Sequence, residues 1–386
     1  MVELKEKVTA LFPSAPTDER QSPSQSLEPS IPEKPPEIND DFEDEFIKDY
    51  FRKVNNPDYL PTQSMTEIFD TPYQPKVQIV DNILCAGAYL FVGAPKVGKS
   101  FFMAQLGYHV SGGLSLWDFQ THKGTVLYLA LEDDYSRLQK RLSRMFGMDS
   151  SDNFHFATHA KNLNEGLDGQ LKKFVREHPD TKLIIIDTLQ KIREVGGEKY
   201  SYASDYEIVT KLKQFADGHN ICVLLVHHTR KQSSDDCFET ISGTNGLLGA
   251  ADGAFIMQKE KRTDNKAVLD IVGRDQQDQR LHLLFDRERC LWQLTKTETE
   301  LWKEPPDPLL EAVAKLLSPE CPEWSGSASG LMDGLDGIDK NEIQPNVLMR
   351  RLNVGADRLW NQHSIRIESA RSHAGRIVKL TLENKA

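Results

Sequence analysis

The stretch AYLFVGAPKVGKSFFMAQLGYHV, residues 88–110, decides the fold. It opens on an apolar run, AYLFVG (88–93), passes through GAPKVGKS (93–100) and continues into FFMAQLGYHV (101–110), which can form a helix. The middle octapeptide matches G-x-x-x-x-G-K-[ST], a loop that cradles phosphates between a strand and a helix. Gly93 and Gly98 let the backbone turn and bring amides against phosphate oxygens. The following helix adds its positive N-terminal end. On this reading Gly93, Ala94, Pro95, Lys96, Val97, Gly98, Lys99, Ser100 and Phe101 bind a nucleotide. Lys99 reaches the β- and γ-phosphates, and Ser100 holds Mg²⁺ through its hydroxyl.

Further short apolar runs follow: TVLYLAL (125–131), KLIIIDT (182–188), ICVLLVHH (221–228), GAFIMQK (253–259) and AVLDIVG (267–273). Most lack period-2 alternation, so they read as strands buried on both faces of a parallel sheet. Helical patterns between them predict an α/β domain over residues 75–300.

Three of these runs end in chemistry. Asp187 closes a β-branched run and lands at the C-terminal edge of the sheet, where ligands of open α/β sheets sit; it reads as a second Mg²⁺ residue, acting through water. Glu132 follows the run at 125–131, where a carboxylate can polarise an attacking water. Asp133 and Asp134 are its neighbours and compete for the role, and some of these acids can instead cap the next helix. His227 and His228 end a strand beside the nucleotide, where one of them can sense the γ-phosphate or hydrogen-bond a nearby loop. Adjacent strand residues point to opposite faces, which argues against a shared metal.

Taken in order, Gly93–Ser100, Ala130–Asp134, Ile184–Asp187, Val226–His228 and SGTNGLLGAADGAF (242–255) resemble the RecA-like ATPase core. The resemblance is to the plasmid RepA type of hexameric replicative helicase, and it covers residues 75–300. It implies an ATP-dependent DNA helicase or translocase of plasmid or mobile-element replication, working with ATP and Mg²⁺. A non-unwinding RecA-like ATPase, acting as a switch or recombination accessory, is the alternative. By resemblance Glu132 is the catalytic base, Lys99 and His228 contact the γ-phosphate, and a neighbouring subunit supplies an arginine. Arg274 is the candidate finger and Arg280 its alternative. Implied partners are single- or double-stranded DNA, further copies in a hexameric ring, and a replication initiator or primase. Segments 198–207 and 229–246 are candidate central loops, with Arg230 and Lys231 on DNA phosphates. The large N-terminal domain of the DnaB type has no counterpart in this sequence.

Composition bounds these readings. The chain has 386 residues, which predicts two or three domains. Its net charge of −11 excludes a basic coat over the whole chain, though not a local basic face. No run of 18 apolar residues predicts a membrane span. Five scattered cysteines without a CxxC pair argue against a disulfide framework and fit a reducing cytoplasm. Seven prolines and five serines in residues 13–36 predict a disordered tail over 1–38. Residues 39–74 read as an amphipathic helix, 40–54, with Phe42, Phe46 and Tyr50 at i, i+4, i+8, and a linker.

LWKEPPDP (301–308) reads as a linker to a small domain over 309–386. There LLEAVAKLL, WSGSASGLMDGL and IQPNVLMRRLNVGADRLW predict three helices, and IRIESAR with RIVKLTL a hairpin, the winged-helix order. Residues 344–386 carry eight Lys or Arg against three acids. Arg350, Arg351, Arg358, Arg371 and Arg376 are therefore candidate phosphate contacts, against the alternative of a protein-docking domain.

Overall fold

The computed structural model describes residues 58–193, 202–228, 245–299, 305–337, 343–372 and 375–383, apart from positions 59, 61, 74, 260 and 262. The chain divides into two compact units, Met1–Ser64 and Met65–Ala386, and every element below belongs to the second. The expected tail (1–38), the helix at 40–54 and most of the two candidate loops lie outside the described residues.

The elements run, in chain order, as follows. A helix, α1 (Met65–Asp70), precedes a short antiparallel pair, β1 (Gln78–Val80) and β2 (Leu84–Cys85). Then come β3 (Gly87–Gly93), α2 (Lys99–Gly112), β4 (Thr125–Ala130), α3 (Tyr135–Phe146), β5 (Phe154–Ala157), α4 (Leu167–Glu177) and β6 (Thr181–Asp187). After these lie α5 (Tyr202–His219), β7 (Cys222–His228), α6 (Asn245–Ala250), β8 (Gly253–Gln258), β9 (Lys266–Gly273), β10 (Gln279–Asp286) and β11 (Leu291–Thr297).

Nine strands form one sheet in the order β11-β10-β9-β8-β3-β7-β6-β4-β5. From β8 to β5 all neighbours are parallel. The last three strands are antiparallel. The α/β class and mostly parallel sheet expected from the sequence are therefore observed. One correction concerns AVLDIVG: it forms β9, which runs antiparallel, because only a seven-residue turn separates it from β8 and a parallel return needs a crossover. A second concerns residues 202–207, read as loop but forming the first turns of α5.

Both faces of the sheet are covered, which explains the unbroken apolar strands. Tyr89 and Phe91 of β3, Val126 and Tyr128 of β4, and Leu183 and Ile185 of β6 pack in one core with Phe102, Met103 and Leu106 of α2. Their strand neighbours Leu90, Val92, Leu127, Leu129, Ile184 and Ile186 pack in the other, with Leu171 of α4 and Leu212 of α5. Alternate residues leave a strand on opposite faces, so two buried faces need apolar residues at every position.

The remaining elements are α7 (Pro308–Lys315), β12 (Glu323–Ser327), α8 (Ala328–Gly334), α9 (Pro345–Val354), α10 (Ala356–His363), β13 (Ile365–Ser372) and β14 (Gly375–Leu382). Three strands form a sheet in the order β12-β14-β13 over their own apolar core. This keeps the winged-helix order with two corrections. The start of the second predicted helix, WSGS, is instead part of strand β12, and Ser327 caps α8 by accepting from the Gly330 amide at 3.1 Å. The single third helix is two helices that meet at Gly355. The Leu310 side chain approaches so closely there that a Cβ would lie 3.0 Å from its Cδ2.

Candidate functional site

Strand register assembles the site. β3 lies between β7 and β8, with Gly93 level with His228 and with Met257. β6 lies between β7 and β4, with Asp187 level with Ala130. The ends of β3, β4, β6 and β7 thus share one edge, and the phosphate loop, Glu132, Asp187 and His228 meet there.

The loop has the backbone that its glycines allow. Gly98 adopts φ 112°, a left-handed value at the start of α2. A Cβ on Gly98 would sit 2.8 Å from Cζ2 of Trp292, and one on Gly93 2.7 Å from the Met257 carbonyl. Trp292 of β11 is buried, and its indole N–H donates to the Gly98 carbonyl at 3.2 Å. Gln105 of α2 grips the Trp292 peptide from both sides, donating to its carbonyl at 2.9 Å and accepting from its amide at 2.8 Å. Lys259 lies over the same indole, 5.1 Å from the ring centre. Sequence reading gives no sign of Trp292, because LWQL (291–294) carries no motif and Trp292 stands 194 positions beyond Gly98.

Lys99 is buried, and its ammonium donates to the carbonyls of Gly93 at 2.8 Å and Ala94 at 3.1 Å and to Nδ1 of His228 at 2.9 Å. An ammonium has no acceptor, so Nδ1 holds a lone pair and the ring proton sits on Nε2. Burial, with the Lys99 charge beside it, lowers the His228 pKa and keeps the imidazole neutral. Burial also pulls Lys99 down to about 8, against the opposing pull of Asp187 and Glu132.

Asp187 is buried, which raises its pKa against the hydrogen bonds that hold it. Its Oδ2 accepts from the Ser100 hydroxyl at 2.7 Å and from the Tyr128 hydroxyl at 2.8 Å. Ser100 and Asp187 offer two hard oxygens side by side. That suits Mg²⁺, which binds through one or two protein oxygens and takes its other ligands from water and phosphate.

The three acids after β4 separate cleanly. Asp134 caps α3, accepting from the Arg137 amide at 2.8 Å. Asp133 is paired with Arg141 at 2.7 Å, both side chains nearly buried. Glu132 lies on the side of Lys99, where Thr188 donates to its Oε1 at 3.3 Å and its charge acts on Lys99, Asp187 and His228.

The structure brings together Lys99, Ser100, Asp187, Glu132 and His228, but not Arg274. Arg274 follows Gly273, which pairs with Gly253 level with Tyr89, near the start of β3. It is exposed, at the opposite edge of the sheet from its own phosphate loop, and donates to the Gly249 carbonyl at 2.8 Å. Arg280 is held by Asp270 at 2.6 Å.

Candidate DNA contacts fare unevenly. Arg350 is paired with Asp70 of α1 at 2.9 Å, Arg351 with Asp307 at 3.6 Å, and Arg358 donates to the Pro305 carbonyl at 2.8 Å. Each of these cations therefore already has a partner within the chain. Arg230 and Lys231, and the side chains of Arg371 and Arg376, lie outside the described residues. Among the described residues, no group of three or more His, Cys, Asp or Glu could hold a metal, and no helix is long and apolar enough to cross a membrane.

Residues 57–234 match a family model described as an AAA domain. The curated proteins similar to this chain include DNA repair protein RadA of Streptococcus pneumoniae (strain ATCC BAA-255 / R6). It is 26% identical over 174 residues, 45% of this chain and 36% of that protein. RadA of Streptococcus pyogenes serotype M6 is 22% identical over 213 residues, 54% of this chain and 40% of that protein. The chain thus aligns with less than half the length of these relatives. Among solved structures, a DnaB-like replicative helicase, described with its primase interactions, aligns with a TM-score of 0.45 at 15% identity, over 54% of this chain and 57% of that one. The RadB recombinase aligns with a TM-score of 0.41 at 16% identity, over 56% of this chain and 93% of that one. The AAA match and the geometry at the sheet edge agree on a P-loop nucleotide site in an α/β core.

Proposed function

We propose that this chain is a RecA-like ATP hydrolase that works on DNA, as a ring-forming helicase or translocase of the plasmid RepA type. The observation that carries the reading is the convergence of Lys99, Ser100, Asp187, Glu132 and His228 on one sheet edge. Lys99 exchanges its carbonyl partners for the β- and γ-phosphates, and the loop amides and α2 N-terminus receive their remaining charge. Ser100 and Asp187 would hold Mg²⁺, which when bound would supply positive charge against the phosphates. Glu132 takes the proton of the attacking water. His228, at the tip of β7, donates its Nε2 proton to the γ-phosphate and reports its loss. Arg274, distant from its own loop, acts on a neighbouring copy, so turnover requires assembly.

Strand displacement on a forked DNA with ATP and Mg²⁺, measured alongside native mass, tests the reading. Unwinding by a hexamer-sized particle supports it. DNA-stimulated hydrolysis by a monomer or dimer without unwinding supports the second reading, a recombination accessory, which the likeness to RadA favours. Absence of hydrolysis under all conditions overturns both.

A further inference from the structure

Tyr128 is wholly buried in β4, among the aliphatic residues Val126, Leu127, Leu129 and Ala130. β4 lies beside β6 with Tyr128 level with Ile185, so its side chain reaches the carboxylate two positions further along the neighbour. Its ring packs with Phe154 and Phe156, with centres 6.5 and 5.8 Å away. A phenylalanine would fill that space equally well. The hydroxyl is therefore unexplained by packing, and burying it is costly unless it is paired. It is paired with Oδ2 of Asp187 at 2.8 Å, the same oxygen that accepts from Ser100 at 2.7 Å.

We propose that the Tyr128 hydroxyl is a positioning group that fixes the rotation of the Asp187 carboxylate for Mg²⁺–nucleotide. The inference rests on the nucleotide-site reading above. Two donors on one oxygen restrain the carboxylate about its Cβ–Cγ bond, whereas Ser100 alone leaves it a hinge. Mg²⁺ demands near-ideal octahedral geometry, so a loosened carboxylate is felt in metal affinity. Residues that hold a ligating group in place typically change metal affinity by about 10–100-fold when removed. The hydroxyl bonds to Asp187 rather than to the phosphate loop or Lys99, so binding of metal-free nucleotide does not depend on it.

The test compares Tyr128→Phe with the unaltered chain, using a fluorescent ADP analogue titrated at a series of Mg²⁺ concentrations and again in EDTA. The expected result is a rise of about tenfold or more in the Mg²⁺ concentration needed for half of the metal-dependent gain in affinity. Affinity in EDTA stays unchanged. The ratio of the two affinities is read in one folded sample, so a drop in thermal stability does not obscure it. An unchanged Mg²⁺ requirement overturns the proposal, and so does an equal loss in Mg²⁺ and in EDTA, which would make the hydroxyl a packing element. If the unaltered chain binds the analogue neither in Mg²⁺ nor in EDTA, the nucleotide-site reading itself falls; if it binds without any gain from Mg²⁺, the metal role of Asp187 falls, and this inference with it.

Discussion

The Lys99 ammonium donates to Nδ1 of His228 at 2.9 Å, joining the first residue of α2 to the last of β7 across 129 positions of chain. The pairing follows from register, since Gly93 and His228 are level on adjacent parallel strands. It singles out His228 from His227, whose side chain leaves the opposite face. Replacing Lys99 by alanine removes the group that exchanges carbonyls for phosphate. Lys99→Ala should show no detectable ATP turnover in a phosphate-release assay, and normal turnover would remove the loop from the site.

Nucleotide affinity should depend on pH through Lys99. Its pKa in the free protein is lowered to about 8, chiefly by burial. A bound phosphate stabilises the ammonium and raises that pKa, so binding takes up a proton above about pH 8. Affinity is then full below that value and falls as pH rises through it, by up to about tenfold per pH unit. Calorimetry at about pH 8.5 in two buffers of different ionisation enthalpy should register the proton uptake; a buffer-independent heat would contradict it.

Glu132 and Asp133 should behave oppositely. Glu132→Gln keeps shape but cannot accept a proton, so it should bind ATP and hydrolyse it about 100-fold more slowly or worse. Asp133→Asn instead breaks the nearly buried pair with Arg141 and should cost about 3 kcal/mol in urea unfolding, with turnover per folded molecule retained. The reverse pattern would move the base to Asp133.

Arg274 is level with Asp252, and so with Ala88, about five residues or about 16 Å along the strand direction from Gly93 at about 3.3 Å each. Arg274→Ala should therefore lose turnover alone yet regain part of it when mixed with Lys99→Ala, because each copy supplies what the other lacks. A mixture as inactive as its components would assign Arg274 to the surface.

Trp292 props the loop from beneath Gly98. Trp292→Ala should cost about 3–5 kcal/mol by cavity formation. It should also weaken nucleotide binding at temperatures where the chain stays folded. Equilibrium unfolding together with nucleotide titration separates these two effects, and a variant that lost stability without losing affinity would limit Trp292 to packing.

The candidate site is legible where the chemistry is local. GAPKVGKS carries its loop, its lysine and its hydroxyl within eight residues, because a phosphate cradle is built from consecutive amides. Asp187 and His228 can be read from strand ends, since ligands sit at the C-terminal edge of such sheets. Local pattern leaves the choice among Glu132, Asp133 and Asp134 open, and only the resemblance names Glu132. Its physical reason lies in Arg141, eight residues beyond Asp133, and in the cap of α3. The arginines of α9 likewise read as unpaired cations until Asp70 and Asp307 are placed against them.

Residue pattern alone establishes the α/β class, the strands that carry chemistry and the nucleotide loop, because unbroken apolar runs and a glycine-spaced loop are encoded within a few residues of one another. The acid that faces the nucleotide, the support of Asp187 and Gly98 by Tyr128 and Trp292, and the place of Arg274 at the far edge emerge from the folded chain. These depend on which strands lie side by side and in which direction they run, and pairing between distant segments of chain leaves no local pattern to read.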